Sequence, residues 1–212
     1  MISVVTNTRY ERPELLERCR LSVQAALPPG ARHEIIPIYS DWGIRRYESL
    51  LIDEYVAVVD DDDTIHPDSI KKCIAALEMT GAGFAFTNEV LVDESLNILG
   101  ASDKSARTYV GVSAHPRAAH HLGVYRSSAI SPKALELHNR FNLGIDWFAT
   151  ASAVFSEGGA VYVPMDGYYW TRHENQDTII QKYLYDNNIG SMGVAIRETF
   201  KIRLGRIPEY NG

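Results

Sequence analysis

Four consecutive carboxylates, Asp60-Asp61-Asp62-Asp63, follow directly on the apolar run Tyr55-Val56-Ala57-Val58-Val59, and this junction constrains the fold more than any other feature of the chain. A five-residue run without a polar alternation reads as a strand buried on both faces, the pattern of a parallel sheet. Carboxylates a few ångströms apart repel and raise one another's pKa values, so a cation should offset them. A hard divalent ion such as Mg²⁺ or Mn²⁺ takes oxygen ligands, commonly one or two carboxylates with substrate phosphates and water. A solvated acidic turn is the plain alternative, with Asp63 or Thr64 capping the helix that follows. A calcium loop counted from Asp60 has Ile65 where Gly is needed and Lys71 where Glu is needed, which excludes the EF-hand pattern.

The elements on either side supply the sheet. Ile2 to Thr6 reads as a buried first strand that empties into the polar Asn7-Thr8-Arg9. Segment 13–27 places Leu15, Leu16, Cys19, Val23, Ala26 and Leu27 on one stripe, with Pro13 and Glu14 at its start and Pro28-Pro29-Gly30 at its end. Ile35 to Tyr39 is a second strand, placed at an edge or bulge by Pro37. Segment 43–51 is helical, and a helix after Pro67 carries Ile70, Cys73, Ile74 and Leu77 on one face. Strand and helix alternate through residue 80, which predicts right-handed crossovers and puts the aspartates at the carboxyl end of a central strand, where open α/β sheets bind ligands.

The second half is less regular. Phe84-Ala85-Phe86, Val90-Leu91-Val92, Val161-Tyr162-Val163 and Tyr168-Tyr169-Trp170 read as four short strands, with a turn at Asp93-Glu94. Segment 102–119 reads as a long polar loop, of the length that often forms a lid. Val124-Tyr125 precedes a helix-like stretch 131–138, and Asp146 opens another helix with Trp147, Ala151, Val154 and Phe155 inward.

Composition bounds the function classes. The 212 residues are 45% hydrophobic and 23% charged, ordinary for a globular chain, and suffice for one domain. A net charge of -6 gives no general attraction to nucleic acid. Arg197, Lys201, Arg203 and Arg206 form one basic group near the C-terminus, which reads as a solvated face or tail. Cys19 and Cys73 both fall on apolar helix faces and read as reduced core residues. No secretory signature and no stretch of about 18 apolar residues is present, so a cytoplasmic location is the expectation.

The motif strand and its aspartates, with Pro67 shortly after, resemble the central strand and Asp-x-Asp motif of GT-A glycosyltransferases, those of family 2 above all. Ile2 to Tyr10 followed by Arg12-Pro13-Glu14-Leu15-Leu16 is similar to that family's opening strand, nucleotide loop and first helix, and Gly43-Ile44-Arg45-Arg46-Tyr47 to the stretch in which an Arg approaches the nucleotide. Gly144-Ile145-Asp146-Trp147 resembles the acidic-aromatic segment holding the family's general base, with Ile145 replacing the first acid. Trp170-Thr171-Arg172-His173-Glu174-Asn175-Gln176 resembles the segment whose His completes the metal sphere. The fold so implied is α/β, a GT-A (Rossmann-like), mostly parallel central sheet flanked by helices with a smaller mixed C-terminal acceptor region. It forms a single domain 1–212, with nucleotide-sugar binding in 1–100 and acceptor binding and catalysis in 101–212.

The resemblance also implies roles. Thr6, Asn7, Arg9 and Asp41 border the nucleotide, Arg46 lies near the donor, Asp60 faces the ribose, Asp61 is the variable middle position, and Asp62 and His173 hold Mn²⁺ or Mg²⁺. Asp146 is the base of a hexosyltransferase-like, inverting transfer from a nucleotide-diphosphate sugar, a UDP-sugar first, to an acceptor hydroxyl. Asp146 has the plain alternative of a carboxylate placed by the helix dipole, and His173 that of a surface loop residue. Arg172 is either a diphosphate clamp or an ion-pair partner. His115, His120 and His121 lack ligand spacing and read as acceptor-loop residues. A hydroxymethylated DNA base as acceptor suits the basic C-terminal group but not the acidic balance. A sugar nucleotidyltransferase would need a Gly-rich loop after the first strand, which Thr6-Asn7-Thr8-Arg9 lacks. A non-catalytic nucleotide-sugar-binding module is the non-enzymatic reading.

Overall fold

The computed structural model describes residues 1–37, 42–114, 119, 121–141, 145–173 and 182–211. In chain order these form β1 (Ile2–Thr8), α1 (Pro13–Ala26), β2 (Arg32–Pro37), α2 (Trp42–Ser49), β3 (Tyr55–Val58), β4 (Thr64–Ile65), α3 (Ser69–Thr80), β5 (Phe84–Asp93), β6 (Ile98–Ser102), α4 (Tyr109–Ala114), β7 (Gly123–Arg126), α5 (Lys133–Phe141), α6 (Ile145–Val154), β8 (Ala160–Arg172) and α7 (Lys182–Thr199). The strands form one sheet in the order β2-β1-β3-β7-β5-β8-β4, with β6 added to β5.

The unbroken apolar runs of β1 and β3 are explained by a sheet covered on both sides. Val4, Ala57 and Val59 face Cys19 and Val23 of α1 and Ile70, Cys73 and Leu77 of α3. Val5 and Val56 face the other core, where Tyr47, Leu137, Phe148 and Ile196 bring in α2, α5, α6 and α7. Pro13 sits in the first turn of α1, where its missing N–H costs no hydrogen bond. Gly81 ends α3 at φ 69°, the left-handed position a glycine takes without strain. Pro37 closes β2, which is indeed an edge strand. Both cysteines are buried and unbridged.

β1 runs parallel to β2 and β3, as the alternation predicts. The sheet as a whole is mixed rather than purely parallel: β7 enters antiparallel between β3 and β5, and β6 and β4 are antiparallel to β5 and β8. Four expectations are corrected. Phe84–Phe86 and Val90–Val92 lie on the single strand β5, and Val161–Val163 and Tyr168–Trp170 on the single strand β8. The two strands pair in parallel along their length, and register shifts around Asn88 absorb the polar interruption that looks like a break in sequence. At that bulge a Cβ added to Gly167 would overlap the Thr87 side chain, so the close approach requires glycine. Segment 102–119 is not wholly loop, because 109–114 forms α4 with Tyr109 and Val112 in the core. Neither Asp63 nor Thr64 caps the next helix: Thr64 starts β4, and α3 begins at Ser69 after Asp68. The Asp93-Glu94 turn does form, with Asp93 Oδ1 accepting from the backbone of Ser95 and Asn97.

Candidate active site

The site lies at the carboxyl end of β3. Because β7 is antiparallel to β3, its first residue Gly123 stands opposite Val58, and residue 121 arrives beside the acidic turn. β5 and β8 continue past this edge and overhang it, since Phe86 pairs with Gly123 and the strands run on to Asp93 and Arg172.

The turn itself is closed by the Asp63 N–H donating to the Asp60 carbonyl at 3.1 Å. Asp63 is buried within it, its Oδ2 accepting from the Tyr168 hydroxyl at 2.7 Å and its Oδ1 from the Thr171 N–H at 2.7 Å. The Tyr168 oxygen in turn accepts the Asp60 N–H at 3.2 Å. Burial, followed by the charges of Asp62 and Asp60, pushes the Asp63 carboxyl well above the ordinary carboxylate range. Asp63 is therefore a latch tying the turn to β8. Arg18 of α1 adds a second tie, donating to the Asp62 carbonyl at 3.1 Å and the Thr171 hydroxyl at 2.8 Å.

Asp61 and Asp62 gather around a cation. Arg12 Nη2 lies 3.2 Å from Asp61 Oδ1 and Nη1 lies 2.8 Å from Asp62 Oδ2. His173 Nε2 meets the same Asp62 oxygen at 2.8 Å and also contacts Arg12. The predicted pair Asp62 and His173 thus converges across 111 residues of sequence. Among the described residues no three His, Cys, Asp or Glu side chains are grouped to hold a metal. One carboxylate and one imidazole nevertheless fit a hard ion that takes its other ligands from a diphosphate and water, and the guanidinium of Arg12 already stands in there as the balancing cation.

The other predicted residues fall as follows. Thr6 is fully buried at the end of β1, its hydroxyl 2.9 Å from His33 Nε2 and 3.7 Å from Cys19 Sγ. Asn7 follows, and its Oδ1 is buried with no hydrogen-bond partner among the described residues, an acceptor that a ligand N–H would satisfy. Arg9 is exposed beyond the strand, next to Tyr10, whose φ of 60° is a strained value for a non-glycine residue. Arg46 lies on α2, and Asp41, His115 and His120 fall outside the described residues. Asp60 stands at the turn with Oδ2 3.8 Å from His121 Nε2. Arg172 is exposed, its guanidinium 4.9 Å over the Trp170 ring. Asp146 lies in the first turn of α6, and every other residue of that helix is buried. Ile145, beside it, is fully buried in the core.

His33 makes the floor under Thr6 sensitive to acid. Burial, then the Arg20 charge, pushes its imidazole down to about 4 from 6.5. The unfolded chain therefore takes up a proton that the fold refuses, so this contribution to stability is complete above 6.5 and is lost as pH falls toward 4. Denaturant unfolding is expected to show a lower midpoint near pH 5 than above pH 7, with the gap narrowed in His33→Gln. An unchanged gap would assign the acid sensitivity elsewhere.

Several site residues escaped the sequence reading. Arg12 had one signal, a cation placed at a helix N-terminus, where the dipole disfavours it. Tyr168 and Arg18 had none, because their partners are set by β8 and the acidic turn. In the C-terminal basic group, Arg203 donates to the carbonyls of Ser156 and Glu157, which makes it a structural tie.

An α/β fold with a mixed, curled sheet and an acidic turn at the end of its third strand is GT-A-like. No protein-family model and no curated protein sequence matches the chain. Among solved structures the chain is similar to S. aureus TarS residues 1–349 in complex with UDP-GlcNAc, with a TM-score of 0.66 and 13% identity over 95% of this chain and 68% of that one. The same fragment in complex with UDP gives a TM-score of 0.64 at 12% identity over 95% and 67%. Against the crystal structure of S. aureus TarS the values are 0.56 and 13%, and the chain covers 39% of that longer chain. At such identity the likeness shows the fold. Among the described residues no helix is long and apolar enough to cross a membrane.

Proposed function

We propose that this chain is a metal-dependent glycosyltransferase that moves a sugar from a nucleotide-diphosphate donor, a UDP-sugar first, to an acceptor hydroxyl with inversion. The observation carrying this reading is the meeting of Asp62 with His173 at the end of β3, against the guanidinium of Arg12. The likeness to a fold that holds UDP-GlcNAc in TarS supports the choice of donor. On this reading the orphaned Asn7 acceptor takes an N–H of the nucleobase, with Arg9, Asp41 and Arg46 around the nucleotide and Asp60 on the ribose. Asp62 and His173 would hold Mn²⁺ or Mg²⁺, which neutralises charge on a departing diphosphate. Arg172 assists from the mouth of the site. Asp146, the one residue of α6 that is not buried, receives the acceptor proton as the acceptor oxygen bonds the anomeric carbon and the bond to the diphosphate breaks with its electron pair.

Calorimetric titration of UDP, GDP, CDP and dTDP, with Mn²⁺ or with EDTA, tests the reading on the wild type and Asp62→Ala. The expected result is metal-dependent binding of UDP that Asp62→Ala abolishes. Absence of binding to all four nucleotides would sink the donor site. A product keeping the donor's anomeric configuration would overturn inversion, and pyrophosphate release from a nucleoside triphosphate and a sugar phosphate would favour a nucleotidyltransferase instead.

A further inference from the structure

Lys104 is the least expected buried side chain in the protein. Its side chain is 1% exposed, its Nζ lies 3.2 Å from Glu89 Oε2, and it donates to the His121 carbonyl. The same Glu89 oxygen lies 3.2 Å from His121 Nδ1. The His121 ring lies flat on Tyr168, with centroids 4.6 Å apart at 16°. Its Nε2 points to Asp60, at 3.8 Å. Burial raises the Glu89 carboxyl, but the His121 hydrogen bond and the Lys104 charge outweigh it and bring the group down to about 2. Burial lowers the Lys104 ammonium to about 8. The pair is thus ionised near neutrality, at a desolvation cost that apolar side chains would avoid. What the network does geometrically is fix one imidazole: backbone, Nδ1 and ring face are each held, and Nε2 is turned toward Asp60 of the acidic turn.

We propose that His121, fixed by Glu89, Lys104 and Tyr168, binds hydroxyls of the donor's sugar and sets which sugar is accepted. The inference rests on the donor reading above. Its direction comes from the strand order β2-β1-β3-β7. On the donor reading the nucleoside residues Asn7 and Arg9 lie at the end of β1 and just beyond it, the aspartates follow β3, and His121 precedes β7 on the far side of them. A donor lying along this edge with its base at β1 and its diphosphate at Asp62 carries its sugar to β7. An imidazole whose Nδ1–H is taken by a carboxylate presents Nε2 in a set orientation, which suits recognition of a ring hydroxyl. A site built to hydrogen-bond a hydroxyl discriminates strongly against a ligand that lacks it.

The test is the ratio of dissociation constants for UDP and for UDP-GlcNAc or UDP-glucose, measured with Mn²⁺ on the wild type, His121→Ala, His121→Gln and Glu89→Gln. His121→Ala is expected to weaken the UDP-sugar roughly tenfold relative to UDP. Glu89→Gln should shift the ratio the same way by less, and His121→Gln, which keeps a hydrogen-bonding side chain, should recover part of the loss. Wild-type protein that binds no nucleotide would overturn the donor reading and this inference with it. Wild-type binding with the ratio unchanged in His121→Ala and Glu89→Gln, or a change confined to acceptor KM, would overturn the inference alone. Should His121→Ala fail to fold, the ratios in His121→Gln and Glu89→Gln decide.

Discussion

Asp146→Asn is expected to lower kcat by between about 10² and 10⁴ while leaving UDP-sugar affinity unchanged, the range a positioned general base contributes. The substitution keeps size and hydrogen-bonding shape and removes only the ability to take a proton. The anchoring is already in the fold: Ile145 and Trp147 on either side are buried, as is the rest of α6, so the helix terminus cannot shift to compensate. Single-turnover rates with saturating donor separate the chemical step from binding. Full activity in Asp146→Asn would remove the residue from the mechanism and leave it a helix-terminal carboxylate.

Asp63→Ala should destabilise the fold by roughly 3 kcal/mol, because it strands two buried donors, the Thr171 N–H and the Tyr168 hydroxyl. Asp63→Asn should cost less than half as much. Burial favours the protonated acid at this position, and an amide resembles that form in shape and charge. Denaturant unfolding of both variants reads the difference. Equal losses would mean that the carboxylate charge holds the turn, and negligible loss in Asp63→Ala would mean that Asp63 is no latch.

These two aspartates show how far the residues alone could be interpreted. Asp146 could be placed at the start of an apolar helical stripe, where the fold has it, and its role as base was implied by the resemblance alone. Asp63 was not legible: in the string it is one of four like residues, and only the arrival of β8 separates a buried structural acid from the neighbours that face the site. Asp62 and His173 were both singled out through their local motifs and do meet in the fold, whereas Arg12, which binds both Asp61 and Asp62, was hidden as the residue before a helix. Lys104 gave no signal for a related reason. A lysine among Ser, Asp and Arg reads as solvent-facing, and its burial follows from β5 running on past Phe86 to place Glu89 above it.

By itself the sequence determined whatever depends on local pattern. The apolar runs of β1 and β3, the stripes of α1 and α3 and the aspartates at a strand end each follow from neighbours within a few residues, whose burial and capping are local. Tertiary structure alone decided the antiparallel entry of β7, the continuity of β5 and β8 through their bulge, and the company each charged side chain keeps. Those depend on which strands pair, and pairing energy is shared between segments far apart in the chain, so no window of the sequence contains it.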